Sequence, residues 1–258
     1  MNEGILKADQ LTVRFGGLAA VDSVDFSILE KEIVSLIGPN GAGKTTTFNA
    51  LTGFLKPTGR IEFEGQRLNN LRPHQIAEKG MIRTFQITSL FPKLSVLENI
   101  RIGHHLQEKQ SLFDAIFDTK RKREIEEKTL SRTIEILKFI NLVDAKEMIA
   151  SNLPYGQQRI LEVGVALAPK PKLLLLDEPS AGLNDTETQQ MMHLINKMRN
   201  QGITILLVEH DMKLVMGISD RIIVLNFGKK IAEGTPDQIK SNPEVIKAYL
   251  GERRDVKS

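Results

Sequence analysis

The residues with the clearest chemistry form one glycine-rich segment, which reads Gly-Pro-Asn-Gly-Ala-Gly-Lys-Thr from Gly38 to Thr45. We call residues 38–45 the phosphate loop, because they match the pattern G-x-x-x-x-G-K-[ST], whose glycines let successive backbone N–H groups point at phosphate oxygens. The loop follows the apolar run Ile33–Ile37 and precedes a helical pattern over Thr45–Thr52, so a helix N-terminus adds positive potential. Lys44 is placed to reach the β- and γ-phosphates, and the Thr45 hydroxyl to ligate Mg²⁺. We therefore predict a nucleoside triphosphate site built from Gly38, Pro39, Asn40, Gly41, Ala42, Gly43, Lys44, Thr45 and Thr46.

An acidic pair, Asp177 and Glu178, directly follows the apolar run Leu173–Leu176. A strand that ends in an acid places the carboxylate at the carboxyl edge of its sheet, where open α/β sheets bind ligands. There Asp177 is placed to hold Mg²⁺ through a water molecule, and Glu178 to orient or deprotonate the attacking water. Acids are common at strand ends, so the pair gains its meaning from the phosphate loop in the same chain.

Three single residues are candidates to complete this site. Gln86 follows the strand-like Ile82–Phe85, and its amide is placed to meet the metal or the attacking water. His210 follows the apolar run Ile203–Val208 and is placed to donate a hydrogen bond to a γ-phosphate. Phe15 ends a strand pattern and offers a ring that can stack on adenine. Taken alone, the three fit structural roles better: a polar turn residue, a surface histidine and a core aromatic.

Two kinds of strand pattern position these residues. Leu11–Phe15 and Val24–Ile28 alternate apolar and polar side chains, as strands of a half-solvated antiparallel sheet do. Ile33–Ile37, Leu173–Leu176 and Ile203–Val208 are almost continuously apolar, and helical patterns separate them. This alternation of strand and helix predicts a parallel sheet with crossover helices.

The middle of the chain, from about residue 98 to residue 168, contains no convincing strand pattern. Ser95–Glu98 and Asp144–Glu147 each form a capping-box pattern, with an N-cap side chain and a carboxylate three residues later. Lys120–Ile140 keeps an apolar stripe near helical period. We therefore predict a helical lobe inserted between strands of the α/β core.

The C-terminal part predicts further elements of the core. Met212–Ile218 is predicted to form a short helix, and Arg221–Leu225 and Lys230–Glu233 a hairpin around the turn between them. Two more helices are expected to start at Pro236 and Pro243, since each proline follows a capping residue.

Composition narrows the class of protein. The 258 residues carry 35 basic and 32 acidic side chains, a net charge of +3, which excludes a bulk polyelectrolyte binder of nucleic acid. Apolar residues make up 41%, enough for a buried core, and the absence of cysteine excludes disulfides and thiolate chemistry. The apolar runs are far shorter than the ~20 residues of a spanning helix, and the N-terminus lacks a signal-peptide pattern. We expect a globular protein of the cytoplasm.

Leu153–Arg159, which reads Leu-Pro-Tyr-Gly-Gln-Gln-Arg, resembles the signature motif of ABC-transporter ATPases. The order of motifs is similar to that family throughout: Phe15, the phosphate loop, Gln86, the signature, Asp177-Glu178, Ser180–Asn184 and His210. The resemblance implies a single ABC ATPase domain of the α/β class. A P-loop NTPase (RecA-like) core with an N-terminal antiparallel β subdomain spans about residues 1–86 and 169–258, and an inserted α-helical subdomain spans about 87–168. It also implies a head-to-tail dimer in which each ATP lies between one phosphate loop and the other subunit's Gly156 and Gln157.

Several segments are similar to the ATP-binding subunits of branched-chain amino acid importers: Phe15–Val21, Arg83–Gln86, Leu94–Asn99, Glu233–Pro236 and Asn242–Gly251. The resemblance implies ATP and Mg²⁺ as ligands and a second ABC ATPase subunit, identical or different, as partner. It also implies transmembrane permease subunits, an indirect link to a periplasmic-type solute-binding protein, no nucleic acid, and a location at the inner face of the cell membrane. The alternatives are ATPases for urea or amide import or lipopolysaccharide export, a soluble ABC ATPase of translation or DNA repair, and a small-molecule P-loop kinase.

Two residues depart from the family pattern. Pro154 stands where the signature usually has serine, so neither a hydroxyl nor an N–H is available there, and contact to a partner's γ-phosphate then depends on the Gly156 N–H and the helix N-terminus. Asn184 stands where many members carry aspartate, which keeps a polar side chain but removes its charge.

Overall fold

The computed structural model describes residues 4–84, 90–104 and 120–255. By its contacts the chain divides into two compact units: residues 1–81 with 172–258, which we call unit 1, and residues 82–171, which we call unit 2. Gln86 lies outside the described residues, so its predicted contact with metal or water stays a prediction.

The elements follow the order that the sequence patterns predict. The described strands are β1 (Leu6–Phe15), β2 (Leu18–Ile28), β3 (Ile33–Ile37), β4 (Thr58–Phe63), β5 (Gln66–Arg67), β6 (Met81–Arg83), β7 (Leu173–Asp177), β8 (Thr204–Val208), β9 (Arg221–Asn226) and β10 (Lys229–Gly234). The described helices are α1 (Lys44–Leu51), α2 (Pro73–Glu78), α3 (Val96–Gly103), α4 (Lys120–Phe139), α5 (Tyr155–Leu167), α6 (Asp185–Asn200), α7 (Met212–Ile218), α8 (Pro236–Lys240) and α9 (Pro243–Asp255).

An antiparallel sheet in the order β2-β1-β4-β5 forms one layer of unit 1. The predicted strands over Leu11–Phe15 and Val24–Ile28 are the second halves of β1 and β2. In β1 the register shifts between Ala8 and Leu11, and Gln10 takes a left-handed φ of 49°. This bulge inserts one residue, so the buried side chains continue on the same face although the simple alternation is broken.

The six-stranded sheet has the order β10-β9-β3-β8-β7-β6, to which unit 1 contributes β10, β9, β3, β8, β7 and the first residue of β6, Met81. The pairs β9–β3, β3–β8 and β8–β7 are parallel, and β10 pairs antiparallel with β9. Every residue of β3, β7 and β8 is buried, as the continuous apolar runs predict. The predicted parallel sheet and the hairpin of β9 and β10 are therefore confirmed.

Helix α1 is the element that links the two layers of the core of unit 1. Its Phe48 is fully buried in a cluster that contains side chains of both sheets, such as Leu11 from β1 and Leu175 from β7. Helices α8 and α9 begin at Pro236 and Pro243, as predicted. Because α1 is held in this core, the C-terminal end of the loop that precedes it is fixed in place.

Unit 2 is helical in residues 90–104 and 120–171, where the described chain forms no strand. Helices α3 and α5 pack closely, since a Cβ at Gly103 would lie 2.5 Å from the carbonyl oxygen of Val165. The inserted helical lobe is therefore confirmed in the described part of this unit.

Of the two predicted capping boxes, one is confirmed and one is wrong. Ser95 Oγ accepts the Glu98 N–H at 3.1 Å, and Glu98 Oε2 accepts the Ser95 N–H at 2.7 Å, at the start of α3. Asp144, by contrast, lies inside a single 3₁₀ turn over Val143–Ala145 that has no side-chain cap. The chain leaves α4 through Asn141, which takes a left-handed φ of 59°, and no α-helix begins at Asp144 for a box to cap.

Within the described residues, none of the helices combines the length and the apolar character that crossing a membrane requires.

Candidate nucleotide-binding site

The phosphate loop connects the end of β3 to the start of α1 at the carboxyl edge of the six-stranded sheet. Two of its glycines cannot carry a side chain in this geometry. A Cβ at Gly38, where φ is +151°, would lie 2.1 Å from the Leu225 carbonyl oxygen. A Cβ at Gly43, where φ is +102°, would lie 2.5 Å from the Ala20 carbonyl oxygen. The glycine pattern therefore has a local physical cause: the loop passes against neighbouring backbone in conformations that favour glycine.

Lys44 is the first residue of α1, and its side chain folds back over the loop. Nζ donates to the carbonyl oxygen of Gly38 at 2.7 Å and to that of Pro39 at 2.9 Å, and the residue is only 6% exposed. This places a buried ammonium group against the backbone of the phosphate loop. The two carbonyls orient the ammonium, whose positive charge attracts phosphate oxygens.

The N-terminus of α1 fits a phosphate group. In this described segment no side chain caps the helix through Gly43, and its first turn carries no acidic residue. Thr45 is exposed and Thr46 half-buried at this end of the helix. An uncapped helix N-terminus beside a cation is a suitable anion site, so the donors present fit the triphosphate that the sequence predicts.

The turn between β9 and β10 contacts the phosphate loop, and the sequence patterns did not predict this contact. Gly228, in the turn between β9 and β10, donates its N–H to the carbonyl oxygen of Ala42 at 3.0 Å, and its own carbonyl oxygen accepts the Asp22 N–H at 2.8 Å. The hairpin was predicted from its turn residues, but the pattern carries no information about contacts between segments so far apart in the chain. The turn therefore ties the phosphate loop to β2.

Phe15 lies at the end of β1, opposite Leu18, and is 52% exposed. The alternative that it is a core aromatic is therefore wrong. An exposed ring on unit 1 is consistent with the predicted stacking on adenine, which stays a prediction.

The acidic pair lies at the end of β7, as predicted. Asp177 is buried at 2% exposure and pairs in register with Val208 at the end of β8. Glu178 turns the chain with a left-handed φ of 50°, and its N–H donates to the Val208 carbonyl oxygen at 2.9 Å. A non-glycine residue in this region costs about 1–3 kcal/mol, and such strain is found mainly where surrounding structure holds a functional residue.

Glu178 and His210 are brought together, although the sequence separates them by 32 positions. Glu178 Oε1 lies 2.8 Å from His210 Nε2, and the histidine side chain is 46% exposed. Sequence reasoning assigned the carboxylate to water and the imidazole to a γ-phosphate, without a contact between them. The two side chains therefore form one polar pair at the carboxyl ends of β7 and β8.

The side chains at this edge could supply only some of the ligands of a Mg²⁺ ion. Mg²⁺ keeps several waters and is usually held by one or two carboxylates plus substrate phosphates. The described residues contain no group of three or more His, Asp or Glu side chains that could hold a metal ion by themselves. Among the described residues, Thr45 and Asp177 are the predicted donors that suit Mg²⁺ arriving with a nucleotide, and the third predicted donor, Gln86, lies outside these residues.

The signature segment lies in unit 2, at the start of α5. Pro154 is the N-cap residue, with φ of −52° and ψ of 148°, and provides no side-chain cap. The helix begins at Tyr155, so Gly156 lies in its first turn. Gly156 is buried and Gln157 is exposed. The geometry agrees with the expectation that backbone N–H groups, and not a residue-154 hydroxyl, are the donors available here.

A buried ion pair follows the signature in α5. Arg159 Nη1 donates to Glu162 Oε2 at 2.8 Å, and the side chains of both residues are only 6% exposed. Burial raises the pKa of Glu162 above its ordinary value of 4.5, although Arg159 acts in the opposite direction. The pair is a structural feature of the helix that carries the signature.

Asn184 has a structural role that sequence reasoning missed. It is the N-cap of α6, where Oδ1 accepts the Glu187 N–H at 3.0 Å and the Asn184 N–H donates to Glu187 Oε2 at 3.0 Å. Asparagine serves this role as well as aspartate, so the departure from the family pattern leaves the cap intact. The signal was present as Asn184-x-x-Glu187 ahead of an amphipathic stretch.

Comparison with known proteins agrees with this geometry. A family profile described as ABC transporter matches residues 21–181, and one described as branched-chain amino acid ATP-binding cassette transporter matches residues 229–255. The chain is 50% identical over 254 residues to the high-affinity branched-chain amino acid transport ATP-binding protein LivG of Escherichia coli K12, covering 98% of this chain and 100% of that protein. It is 47% identical, with the same coverage, to the high-affinity branched-chain amino acid transport ATP-binding protein BraF of Pseudomonas aeruginosa.

Solved structures of ATP-binding cassettes resemble this chain in fold. The ADP conformation of an ATP-binding cassette of an ABC transporter superposes with a TM-score of 0.84 at 32% identity, covering 96% of this chain and 98% of that one. A dimeric cassette in a post-hydrolysis state with ADP and phosphate superposes with a TM-score of 0.74 at 26% identity, covering 90% and 98%. The fold is therefore that of the ABC ATPases, with the antiparallel β subdomain and inserted helices that the motifs imply. The chain belongs to the ABC transporter family, as an ATP-binding subunit of the group that includes LivG and BraF.

Proposed function

We propose that the protein is the ATP-hydrolysing subunit of a transporter that imports branched-chain amino acids. The observation that carries the ATPase assignment is the phosphate loop, in which the buried Lys44 ammonium faces an uncapped helix N-terminus at the edge that also carries Glu178. Support for the substrate class comes from the relatives' names and from the second family profile, which matches the C-terminal residues 229–255.

The residues of this edge have complementary tasks in hydrolysis. Lys44 and the backbone N–H groups of the phosphate loop bind the β- and γ-phosphates, and the charge that develops on the γ-phosphate is neutralised there. Thr45 and, through a water, Asp177 would hold Mg²⁺, which would supply further neutralisation when bound. Glu178 orients and deprotonates the attacking water, and His210 donates to the γ-phosphate.

The Glu178–His210 pair suggests how these two roles are linked. The two side chains contact each other at 2.8 Å, so a hydrogen bond from His210 to a γ-phosphate competes with this contact. A γ-phosphate that accepts a hydrogen bond from His210 frees the carboxylate for water. Hydrolysis would then follow phosphate binding rather than precede it.

A second ABC ATPase subunit completes the site in this proposal. Its Gly156 and Gln157, or their equivalents in a different subunit, face the γ-phosphate from across the dimer. A related cassette that was solved as a dimer with ADP and phosphate supports this arrangement. Transmembrane permease subunits hold the dimer at the inner face of the membrane, and they link it to a solute-binding protein. The domain bounds near residues 86/87 and 168/169 and the contact of Gln86 with metal or water are part of the same proposal.

Uptake by cells tests the substrate class and separates it from the alternatives. We expect cells whose copy carries Lys44→Ala to lose uptake of radiolabelled leucine, isoleucine and valine, and to keep uptake of urea. Lys172→Ala is the matched control, because it removes the same charge from the surface of the same unit, where Lys172 pairs with Glu64 at 2.7 Å. Unchanged branched-chain uptake together with a fall in urea uptake, or with a defect in lipopolysaccharide export, would contradict the proposed substrate.

A further inference from the structure

Glu209 is a buried carboxylate at the catalytic edge that no motif includes. It directly follows β8, is 3% exposed, and stands next to the predicted γ-phosphate contact His210. Its side chain reaches back to the loop after β7. There Oε1 accepts both the backbone N–H and the hydroxyl of Ser180, each at 2.7 Å.

The second oxygen of Glu209 holds its own loop. Oε2 accepts the N–H of His210 at 2.9 Å and that of Asp211 at 3.3 Å. Asp211 in turn caps α7, since its Oδ1 accepts the Lys213 N–H at 2.8 Å. The backbone at His210 is thus fixed from one side by the buried carboxylate and from the other by a helix cap.

The four donors to Glu209 come from the two loops that carry the catalytic pair. One loop contains Glu178, whose N–H is bound to the Val208 carbonyl oxygen, and continues to Ser180. The other contains His210. A carboxylate has two oxygens with lone pairs for such a bridge, and every donor here is an N–H or O–H group of a fixed loop. The bridge therefore sets the distance between the two loops, across which Glu178 and His210 contact each other at 2.8 Å.

We propose that Glu209 is a positioning residue for ATP hydrolysis, whose carboxylate clamps the Ser180 loop to the His210 loop and so keeps the backbones that carry Glu178 and His210 at a fixed separation. The inference rests on the proposed roles of Glu178 and His210. It does not place Glu209 in contact with ATP. The clamp also joins the segment Ser180–Asn184, which belongs to the family's series of motifs, to the loop of His210 in the same subunit.

A positioning role predicts an effect on turnover rather than on ATP binding. In Glu209→Gln one carboxylate oxygen is replaced by an NH₂ group, which cannot accept a hydrogen bond. The N–H or O–H groups of one of the two loops then lose their acceptor, and that loop is no longer held by residue 209. The phosphate loop, which binds the nucleotide, is held by a contact of its own, the hydrogen bond from the Gly228 N–H to the Ala42 carbonyl oxygen, which does not involve Glu209. We expect kcat to fall at least tenfold and the KM for ATP to change less than threefold.

The experiment compares phosphate release by the purified full chain and its variants. Glu32→Gln is the matched control, since Glu32 accepts the Leu29 N–H at 2.8 Å and pairs with Arg221 in unit 1, before β3. We expect Glu32→Gln to lower the thermal midpoint without lowering kcat. Ser180→Ala removes only the hydroxyl of the clamp and is a milder second variant. In combination with Glu209→Gln it should lower kcat no further than Glu209→Gln alone, because both act on one contact.

The outcomes separate this inference from the function on which it rests. If Glu178→Gln abolishes phosphate release while Glu209→Gln keeps kcat within twofold of the parent, the clamp is not a positioning device and the inference is overturned. The same holds if Glu209→Gln and Glu32→Gln reduce kcat equally at equal thermal midpoints, since the effect is then general stability. If Glu178→Gln itself hydrolyses ATP at the parent rate, the proposed catalytic role fails first. Should Glu209→Gln not fold, additivity of Ser180→Ala with His210→Ala would overturn the clamp, and non-additivity would support it.

Discussion

Replacing Lys44 by alanine is expected to weaken ATP binding by at least one order of magnitude. The ammonium is 6% exposed and held 2.7 Å from the Gly38 carbonyl oxygen and 2.9 Å from that of Pro39. It is therefore already desolvated and oriented before nucleotide arrives, and little of its interaction with phosphate is offset by ordering the side chain.

The magnitude follows from a single hydrogen bond. A hydrogen bond from a charged donor contributes about 1.5–3 kcal/mol, so removing one such bond to phosphate raises Kd about 10- to 150-fold. The longer-range attraction between the ammonium and the triphosphate adds to the contribution of the hydrogen bond, so we expect Kd to rise by at least this factor. The variant also leaves two loop carbonyls without this donor, which we expect to loosen the loop.

Calorimetric titration of the full chain with ATP and Mg²⁺ measures the change. Lys172→Ala, which removes an exposed lysine paired with Glu64, serves as the control for net charge and should bind ATP with the parent Kd. A Kd for Lys44→Ala within twofold of the parent would refute the reasoning that the buried ammonium is preorganised for phosphate.

Two further predictions concern capping residues. Asn184→Ala removes the N-cap acceptor of α6 and should lower the free energy of unfolding by about 1 kcal/mol, or the thermal midpoint by about 2–4 °C. Asn184→Asp keeps an acceptor at this position and should keep the parent midpoint. Equal midpoints for the two variants would contradict the observed cap. Hydrogen bonds from Ser95 lower the pKa of Glu98 below its ordinary 4.5, so its contribution to stability is present above that pH and is lost as the pH falls through the lower folded-state value. Glu98→Gln should therefore show a shallower fall in thermal midpoint below pH 4.5 than the parent, and parallel curves would contradict the cap.

Local patterns predicted the elements that position the site. The apolar runs Ile33–Ile37 and Leu173–Leu176 became fully buried strands, because a strand covered on both faces cannot tolerate a polar period. The glycines of the phosphate loop were predictable for a similar reason: positive φ and close backbone approach restrict the residue type at Gly38 and Gly43. In β1 the prediction began only at Leu11, since the bulge before it breaks the alternation on which the prediction depends.

Contacts between distant segments were beyond local patterns. The hydrogen bonds of Glu209 to Ser180 depend on the register in which β7 and β8 pair, which no spacing along the chain encodes. The contact between Glu178 and His210 depends on the same register. The capping box predicted at Asp144 was wrong for a related reason, because the pattern is local but the chain there forms only a 3₁₀ turn.

The central claim is that a triphosphate held by the phosphate loop is hydrolysed with the help of Glu178. Its most direct test is one preparation of Glu178→Gln in which ATP affinity and phosphate release are both measured, beside Glu187→Gln, which changes the carboxylate that caps α6 in the same unit. Loss of a general base lowers a rate by about 10²–10⁴-fold. We predict that Glu178→Gln binds ATP with a Kd close to that of the parent and releases phosphate at least ~100-fold more slowly. Phosphate release at the parent rate by Glu178→Gln would contradict the account.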